Sequence, residues 1–474
     1  MERTYLFYDL ETTGLNPAFD QVLEFAAIRT RLNLEEIERH EIKVALRKDV
    51  IPSPYALLTH KIGITQMQDG IDEYSAIQQI HRLMNTPGTI SVGYNTLGFD
   101  DEFLRFSFYR HLLTPYTHQF AHQCGRMDLY PITVMYALFE KSALSWPIID
   151  EKISLKLEHL SDANHLADGP AHSAIVDVLA TVALAKKLKV STQIWSYCCD
   201  YFNKQADQQR LSSLPKIFSV DSSEYQQAIV IDGKLGARTQ FQSMCLALGQ
   251  HQVYRNQSIW LRMDHSLFSA KDLDGFISQA WIIKKRAGEP PFILPPKDRF
   301  LSQFSLERKK LIEENLQFLK SNPHLFSAAL SHFQNDTYET PENVDHQAAL
   351  YIKDFSKPED LKKHLAFHQA PPEKKESVLN TLSCPIEQNL GIRLMARHYP
   401  DYLSEAGMRE YQTYVDKIFS ESPPIDYRGK SATSSLYAMT EITQLLQDSN
   451  RSSTRQDITL LHDFQQYLAQ YANQ

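Results

Sequence analysis

The chain has 474 residues, which is long for one domain and predicts two to four. Hydrophobic residues make up 43% and charged residues 22%, a composition that excludes disordered and fibrous proteins. No apolar run approaches the roughly 18 residues that a membrane span needs, and the N-terminus lacks the features of a signal peptide. We therefore expect a cytoplasmic protein without a membrane partner. The five cysteines lack metal-ligand spacing and are expected to be reduced thiols.

The net formal charge of −8 is unevenly distributed along the chain. It is −6 for residues 1–192, +1 for 193–343 and −3 for 344–474. This balance excludes a protein that coats nucleic acid through bulk basicity. Any polyanion must be held by local basic stripes and bound cations, and the middle segment repels it least.

The predicted elements fall into three segments in chain order. Strand patterns at 4–10, 22–30, 40–46 and 89–95 alternate with helix patterns at 74–85, 100–113 and 172–189, which predicts an α/β sheet flanked by helices. Short β-rich runs from about 214 to 295 predict a small barrel or sandwich. An amphipathic helix follows over 306–321, and the chain is predicted to be helical from about 344 onward. We therefore expect domains at 1–192, 193–343 and 344–474.

The first strand pattern ends on two carboxylates, Asp9 and Glu11. Residues i and i+2 of a strand point to the same side, so both project at the strand end where α/β sheets bind ligands. Their repulsion needs a shared proton, a basic partner or a divalent cation, and the motif contains no Lys or Arg. Oxygen ligands suit Mg²⁺ or Mn²⁺, which can also bind a phosphate oxygen. A pair of solvated turn residues is the alternative.

A third carboxylate, Asp100, opens a predicted helix. Phe99 and Phe103 can pack inward and fix Asp100 at the helix entrance. Asp101 and Glu102 fall on other faces, and we interpret them as N-terminal charges that the helix dipole favours.

A fourth carboxylate, Asp177, lies in a strongly apolar helical pattern. A buried carboxylate lowers stability unless it is paired or binds a metal. His172 precedes it by five positions, which is roughly 140° around a helix. His172 must therefore lie on the preceding loop or the first turn if both side chains reach one site.

The segments DLETTG, NTLGFDDEF and HSAIVD resemble the three motifs of the DEDDh 3′→5′ exonuclease superfamily. Further segments, among them CGRMDLY, SLKLEHL and RLMARHYPDYL, are similar to bacterial exonuclease I over nearly the full length. The resemblance implies a ribonuclease H-like exonuclease domain, an SH3-like barrel and a helical C-terminal domain. It also implies processive 3′→5′ hydrolysis of single-stranded DNA to 5′-mononucleotides, in DNA repair and recombination.

The same resemblance implies roles for the acidic residues. Two Mg²⁺ ions, replaceable by Mn²⁺, would be held by Asp9, Glu11 and Asp177, with Asp100 contributing partly through water. His172 would be the general base, because an imidazole with a pKa of about 6.5 suits that role at neutral pH. We expect the His172 segment to be mobile.

The resemblance also implies contacts to the DNA substrate. Lys156 occupies a position where the family typically has an arginine, and a surface salt bridge is the alternative. Arg126 resembles a contact to the DNA backbone, and Leu15 is expected against the terminal base; Glu11 is also a predicted substrate contact. Trp260, Trp281 and the segment 284–286 are candidates for DNA contact. The alternatives are core packing for the two tryptophans and a solvated strand end for 284–286.

Two other functions stay open from sequence alone. One is a 3′→5′ exoribonuclease of the same superfamily, which the extra 280 C-terminal residues argue against. The other is a catalytically inactive DNA-binding scaffold, which the intact acidic residues and His172 argue against. The resemblance further implies a monomer whose partner is the acidic C-terminal tail of single-stranded-DNA-binding protein.

Overall fold

The structure is a computed structural model, and it describes residues 2–169, 173–448 and 454–471. The strands are β1 Thr4–Thr12, β2 Val22–Arg31, β3 Glu36–Lys43, β4 Thr89–Gly93, β5 Gly125–Asp128, β6 Ile148–Ile149, β7 Lys152–Ile153, β8 Lys216–Val220, β9 Ser223–Ile231, β10 Gln242–Gln250, β11 Gln257–Arg262, β12 Ile282–Arg286 and β13 Phe292–Leu294. The helices are α1 Pro54–His60, α2 Glu73–Met84, α3 Asp100–Arg110, α4 Leu129–Phe139, α5 Leu157–Asn164, α6 Ala174–Lys189, α7 Thr192–Cys199, α8 Lys204–Ser212, α9 Leu273–Gln279, α10 Asp298–Leu301, α11 Leu306–Ser321, α12 Pro323–Asn335, α13 Pro358–Gln369, α14 Pro372–Leu379, α15 Pro385–His398, α16 Glu405–Phe419, α17 Ser435–Gln447 and α18 Arg455–Tyr471.

Packing divides the chain into two compact units. The first unit contains residues 1–126, 167–183 and 340–474, and the second contains 127–166 and 184–339. The C-terminal helices therefore share a unit with the N-terminal sheet. The domain boundaries expected from the sequence stay a prediction. Across the described ranges, no helix combines the length and the apolar content that crossing a membrane requires.

A five-stranded mixed sheet with the order β3-β2-β1-β4-β5 forms the centre of the N-terminal region. Strand β1 pairs antiparallel with β2 and parallel with β4, so it lies in the middle of the sheet. Leu6, Tyr8 and Leu10 of β1 pack into a core with residues of α2 and α3. Because side chains alternate along a strand, Asp9 and Glu11 face the other side of the sheet.

The strand predicted at 40–46 is wrong by about four residues, since β3 covers Glu36–Lys43. This edge strand is largely exposed and rich in charge, as edge strands often are. Its sequence therefore lacks the apolar alternation that marks a half-buried strand.

The second unit contains a separate antiparallel sheet with the order β12-β11-β10-β9-β13, and β8 also pairs with β9. Trp260 of β11 is 1% exposed and belongs to the core of this sheet, so its indole is not available for base stacking. Lys285 is buried and donates to Asp207 at 2.5 Å, so the predicted solvated strand end is wrong at this position. Lys284 and Trp281 are partly exposed.

The C-terminal helices complete the core of the first unit. Leu390 and Leu394 of α15 and Phe464 of α18 belong to the same buried cluster as Leu57 of α1 and Phe106 of α3. The predicted architecture is confirmed: a mixed sheet flanked by helices, a β-rich barrel-like sheet and an all-helical C-terminal region.

A buried ion network stabilises the first unit. Glu73, which opens α2, accepts hydrogen bonds from Arg47 at 2.7 Å and from Arg110 at 3.2 Å, and His111 lies 3.3 Å away. Although burial opposes ionisation, Arg47 and Arg110 hold the pKa of Glu73 well below its usual value. Removing one partner from such a network leaves buried charges uncompensated.

We expect Glu73→Gln to lower the free energy of unfolding by about 3–5 kcal/mol, because two buried guanidinium groups lose their counter-charge. Urea denaturation followed by circular dichroism measures the shift. The control is Glu36→Gln, whose exposed partner is Arg39; its effect should stay within about 0.5 kcal/mol. Equal effects of the two substitutions would contradict this account.

Candidate active site

Three acidic side chains meet at the C-terminal end of β1. One oxygen from each of Asp9, Glu11 and Asp177 lies within 4.8 Å of the others. Asp177 is in the first turn of α6, where its backbone N–H donates to the carbonyl oxygen of Ser173 at 3.0 Å. Glu11 is buried, and the other two carboxylates are half-buried. Strand β1 and helix α6 thus bring Asp9 and Asp177, which are 168 positions apart in the chain, into one site.

Asp100 is the first residue of α3 and is 6% exposed. Phe99 and Phe103 pack against each other with ring centroids 4.9 Å apart, which fixes the start of the helix as the sequence predicts. The charge of Asp100 acts on both Asp9 and Glu11. The charges of Asp100 and Asp177 therefore both act on Asp9 and Glu11, so the four carboxylates form one interacting group.

Burial and like charges strongly disfavour ionisation of this cluster. Burial raises the pKa of Asp9 well above its usual value, and Asp100, Asp177 and Glu11 raise it further. The pKa of Glu11 rises to about 8 through burial first and then through Asp177, Glu24 and Asp100. The ionised cluster is therefore unfavourable unless a positive charge compensates it.

Glu24 is an acidic neighbour that the sequence analysis missed. It lies on β2 directly opposite Glu11 in the antiparallel ladder, and side chains so paired point to the same face. Lys43 on β3 lies 3.8 Å from its carboxylate, and the pKa of Glu24 is raised mainly by burial. Knowing the register of β1 against β2 would have identified it, but register cannot be read from the sequence pattern around residue 24.

The donor set fits a hard divalent cation. All the donors are carboxylate oxygens, which are the ligands that Mg²⁺ and Mn²⁺ prefer. Within the described residues, Asp9, Glu11 and Asp177 form the one group of three or more acidic, His or Cys side chains close enough to bind an ion together. Compensation of the repulsion by cations is the simplest physical explanation of so many buried like charges.

The predicted general base, His172, lies outside the described residues. Ser173, the next residue in the chain, lines a cavity of about 330 Å³ together with Glu24, Lys43 and His60. This cavity belongs to the first unit.

Asp101 lies in the first turn of α3, as predicted, and it also has buried partners that the sequence does not reveal. Its side chain is fully buried and accepts hydrogen bonds from Arg105 at 2.7 Å, from His118 at 3.1 Å and from Arg126. Although burial opposes ionisation, Arg105 and Arg126 hold the pKa of Asp101 well below its usual value. Asp101 therefore fixes the side chain of Arg126, one of the predicted DNA contacts. Glu102 also lies in the first turn as predicted, and it pairs with Arg105.

The two other predicted substrate contacts are exposed. Leu15 in the first unit is 81% exposed and follows the end of β1 by three residues. Lys156 in the second unit precedes α5, and its side chain is 71% exposed. Its ammonium lies 3.3 Å from the carboxylate of Glu158, so the predicted surface salt bridge is present.

We expect Glu11→Gln to raise the melting temperature of the cation-free protein at neutral pH by roughly 2–4 °C, because it removes a carboxyl group whose raised pKa of about 8 opposes folding. The same change should abolish the stabilisation that added Mg²⁺ gives the unsubstituted protein. Differential scanning fluorimetry in EDTA and in Mg²⁺ measures both effects. Asp274→Asn, at an exposed carboxylate in α9, is the control and should leave both unchanged. Stabilisation of Glu11→Gln by Mg²⁺ equal to that of the parent would contradict the cation site.

Comparisons with known proteins agree with this geometry. Residues 6–185 match the family model described as Exonuclease. The exodeoxyribonuclease I of Escherichia coli (strain K12) is 27% identical over 446 residues, which are 88% of this chain and 90% of that protein. The exodeoxyribonuclease I of Haemophilus influenzae is 32% identical over 191 residues, which are 39% of this chain and 40% of that protein.

Solved structures match over nearly the whole chain. The crystal structure of E. coli exonuclease I in complex with a dA16 oligonucleotide has a TM-score of 0.83 at 24% identity, covering 99% of this chain and 100% of that one. The structure of SSB/exonuclease I in complex with the inhibitor CFAM has a TM-score of 0.81 at 23% identity, with the same coverage. These likenesses show the fold, and the sequence matches agree with the resemblance. Residues 6–185 therefore match an exonuclease family model, and the chain is similar to exodeoxyribonuclease I of E. coli over most of its length.

Proposed function

We propose that the chain is an exodeoxyribonuclease that hydrolyses single-stranded DNA processively from the 3′ end and releases 5′-mononucleotides. The observation that carries the proposal is the convergence of Asp9, Glu11 and Asp177, with Asp100 close enough to act on their charges. The relatives named exodeoxyribonuclease I, and the relative bound to dA16, support DNA as the substrate. DNA repair and recombination are the processes in which such an activity serves.

Asp9, Glu11 and Asp177 would hold Mg²⁺, with Asp9 also reaching a second ion and Asp100 acting partly through water. Mn²⁺ would substitute, since it has the same preference for oxygen ligands. Two ions held by these residues would supply positive charge for the attacking and leaving oxygens of an in-line displacement at phosphorus. A zinc-bound complex of the E. coli relative with single-stranded DNA supports a requirement for a divalent ion.

The other roles belong to side chains of this chain. His172 takes the proton of the attacking water as the general base. Arg126, fixed by Asp101, binds a backbone phosphate, and Lys156 binds a phosphate near the cleaved end as a point charge. Leu15 packs against the 3′-terminal base.

A protein partner and a location complete the proposal. The similar structure of SSB/exonuclease I with CFAM supports the acidic C-terminal tail of single-stranded-DNA-binding protein as a partner of this chain. We propose a cytoplasmic monomer with domains at 1–192, 193–343 and 344–474.

We expect Asp9→Ala and Asp177→Ala each to abolish turnover, because each removes ligands that bring several kcal/mol of transition-state stabilisation. The assay follows single-stranded DNA in Mg²⁺ by gel electrophoresis, with the label at the 5′ end in one sample and at the 3′ end in another. With limiting enzyme, a 5′ label should yield short end products with few intermediate lengths, and a 3′ label should yield an immediate labelled mononucleotide. Asp274→Asn is the control and should retain full activity.

The same assay separates the alternatives. RNA of the same sequence should be degraded much more slowly than DNA. Faster degradation of RNA would favour the exoribonuclease, and binding of DNA without any release of nucleotides would favour the inactive scaffold.

We expect His172→Ala to lower the hydrolysis rate by about 10²–10⁴-fold with DNA affinity unchanged, because it removes proton transfer and not a binding contact. Single-turnover kinetics measure the rate, and fluorescence anisotropy in EDTA measures the affinity. His324→Ala, at an exposed position in α12, is the matched control. A fully active His172→Ala enzyme would show that another group is the general base.

A further inference from the structure

The loop over residues 13–21 joins β1, which carries Asp9 and Glu11, to β2. It presents one exposed apolar side chain on a buried base. Leu15 is 81% exposed, whereas Thr13 and Gln21 are fully buried and Asp20 is 5% exposed. Single exposed leucines are common on protein surfaces, so exposure alone does not show that Leu15 has a binding partner. The hydrogen bonds that hold the 13–21 loop show whether Leu15 is held in place for a contact.

The carboxylate of Asp20 holds this loop from inside. Oδ1 accepts a hydrogen bond from the Thr13 hydroxyl at 2.9 Å, and Oδ2 accepts one from the backbone N–H of Asn16 at 2.8 Å. A Cβ added at Gly14 would lie 2.5 Å from Oδ2 of Asp20, so the turn requires glycine there. The carboxylate of Asp20 therefore binds the chain both before and after Leu15.

Arg110, at the end of α3, fixes the other half of the loop. Its fully buried guanidinium donates to the carbonyl oxygens of Pro17 at 3.2 Å, Ala18 at 3.4 Å and Asp20 at 2.9 Å. The same group donates to Glu73 in the buried ion network. The loop is thus anchored to the core of the first unit.

Burying the carboxylate of Asp20 does not serve the stability of the fold. Burial raises the pKa of Asp20 to about 6, although the Asn16 N–H, Thr13 and Arg110 oppose the rise. A buried carboxylate is a poor choice for a loop that only has to connect two strands. A preorganised loop is favourable for binding, because less conformational entropy is lost when a ligand contacts its exposed side chain.

We propose that Asp20 is a positioning residue that holds the 13–21 loop so that Leu15 packs on the base of the 3′-terminal nucleotide. This inference rests on the proposed function and adds the group that sets the geometry of its terminal-base contact. Asp20 acts through Leu15 and does not touch the reacting atoms.

The test is a double-mutant cycle with two DNA ends. Affinity is measured by fluorescence anisotropy in EDTA for oligonucleotides that end in a normal or in an abasic 3′ nucleotide. Leu15→Ala and Asp20→Ala should each weaken binding of the normal end by about tenfold, the typical scale of one base contact. The double variant should be no weaker than either single variant. With the abasic end, all four proteins should bind equally.

A purely structural role gives a different result. Additive losses, or a loss for Asp20→Ala that persists with the abasic end, would overturn the positioning role. If Asp20→Ala does not fold, Thr13→Val removes the hydroxyl donor with little change of shape and should show the same dependence on the terminal base. Failure of the unsubstituted protein to degrade DNA would instead refute the proposed function.

Discussion

Repulsion among buried carboxylates is the constraint on which the rest of the structure depends. Asp9 and Glu11 on β1, Asp177 on α6 and Asp100 on α3 come from three elements, and burial together with their mutual charge raises the pKa of the first two. Proteins do not retain such an arrangement for stability, because it opposes folding at neutral pH. The fold nevertheless holds these groups together. Bound cations would neutralise the repulsion and could also bind a phosphate oxygen.

A buried ion network in the first unit supports the elements that carry these groups. The carboxylate of Glu73 lies beside Arg47, Arg110 and His111, so its pKa is depressed in the same unit in which the pKa values of Asp9 and Glu11 are raised. Arg110 links the network to the loop that follows β1. Through Asp49, the same network reaches Arg397 of α15 at 2.6 Å. The C-terminal helices therefore contribute to the framework that supports the catalytic strand.

The sequence was sufficient to predict the cluster itself and most of the elements around it. Alternation along β1 and the apolar pattern of α6 are local signals, and the three motifs give the identity of the acids. Other features depend on pairing that a sequence pattern does not contain. Glu24 joins the cluster only through the register of β2 against β1, and Asp101 is buried because Arg105, Arg126 and His118 converge on it. The charged edge strand β3 was misplaced because its exposed sequence has no apolar period.

The most direct test of the account is the location of bound Mn²⁺ by anomalous X-ray scattering from crystals of the full chain. The account predicts anomalous density between the carboxylates of Asp9, Glu11 and Asp177, and its loss in crystals of Glu11→Gln. Density elsewhere on the protein with none at these carboxylates, or a lysine ammonium filling the space between them, would contradict it.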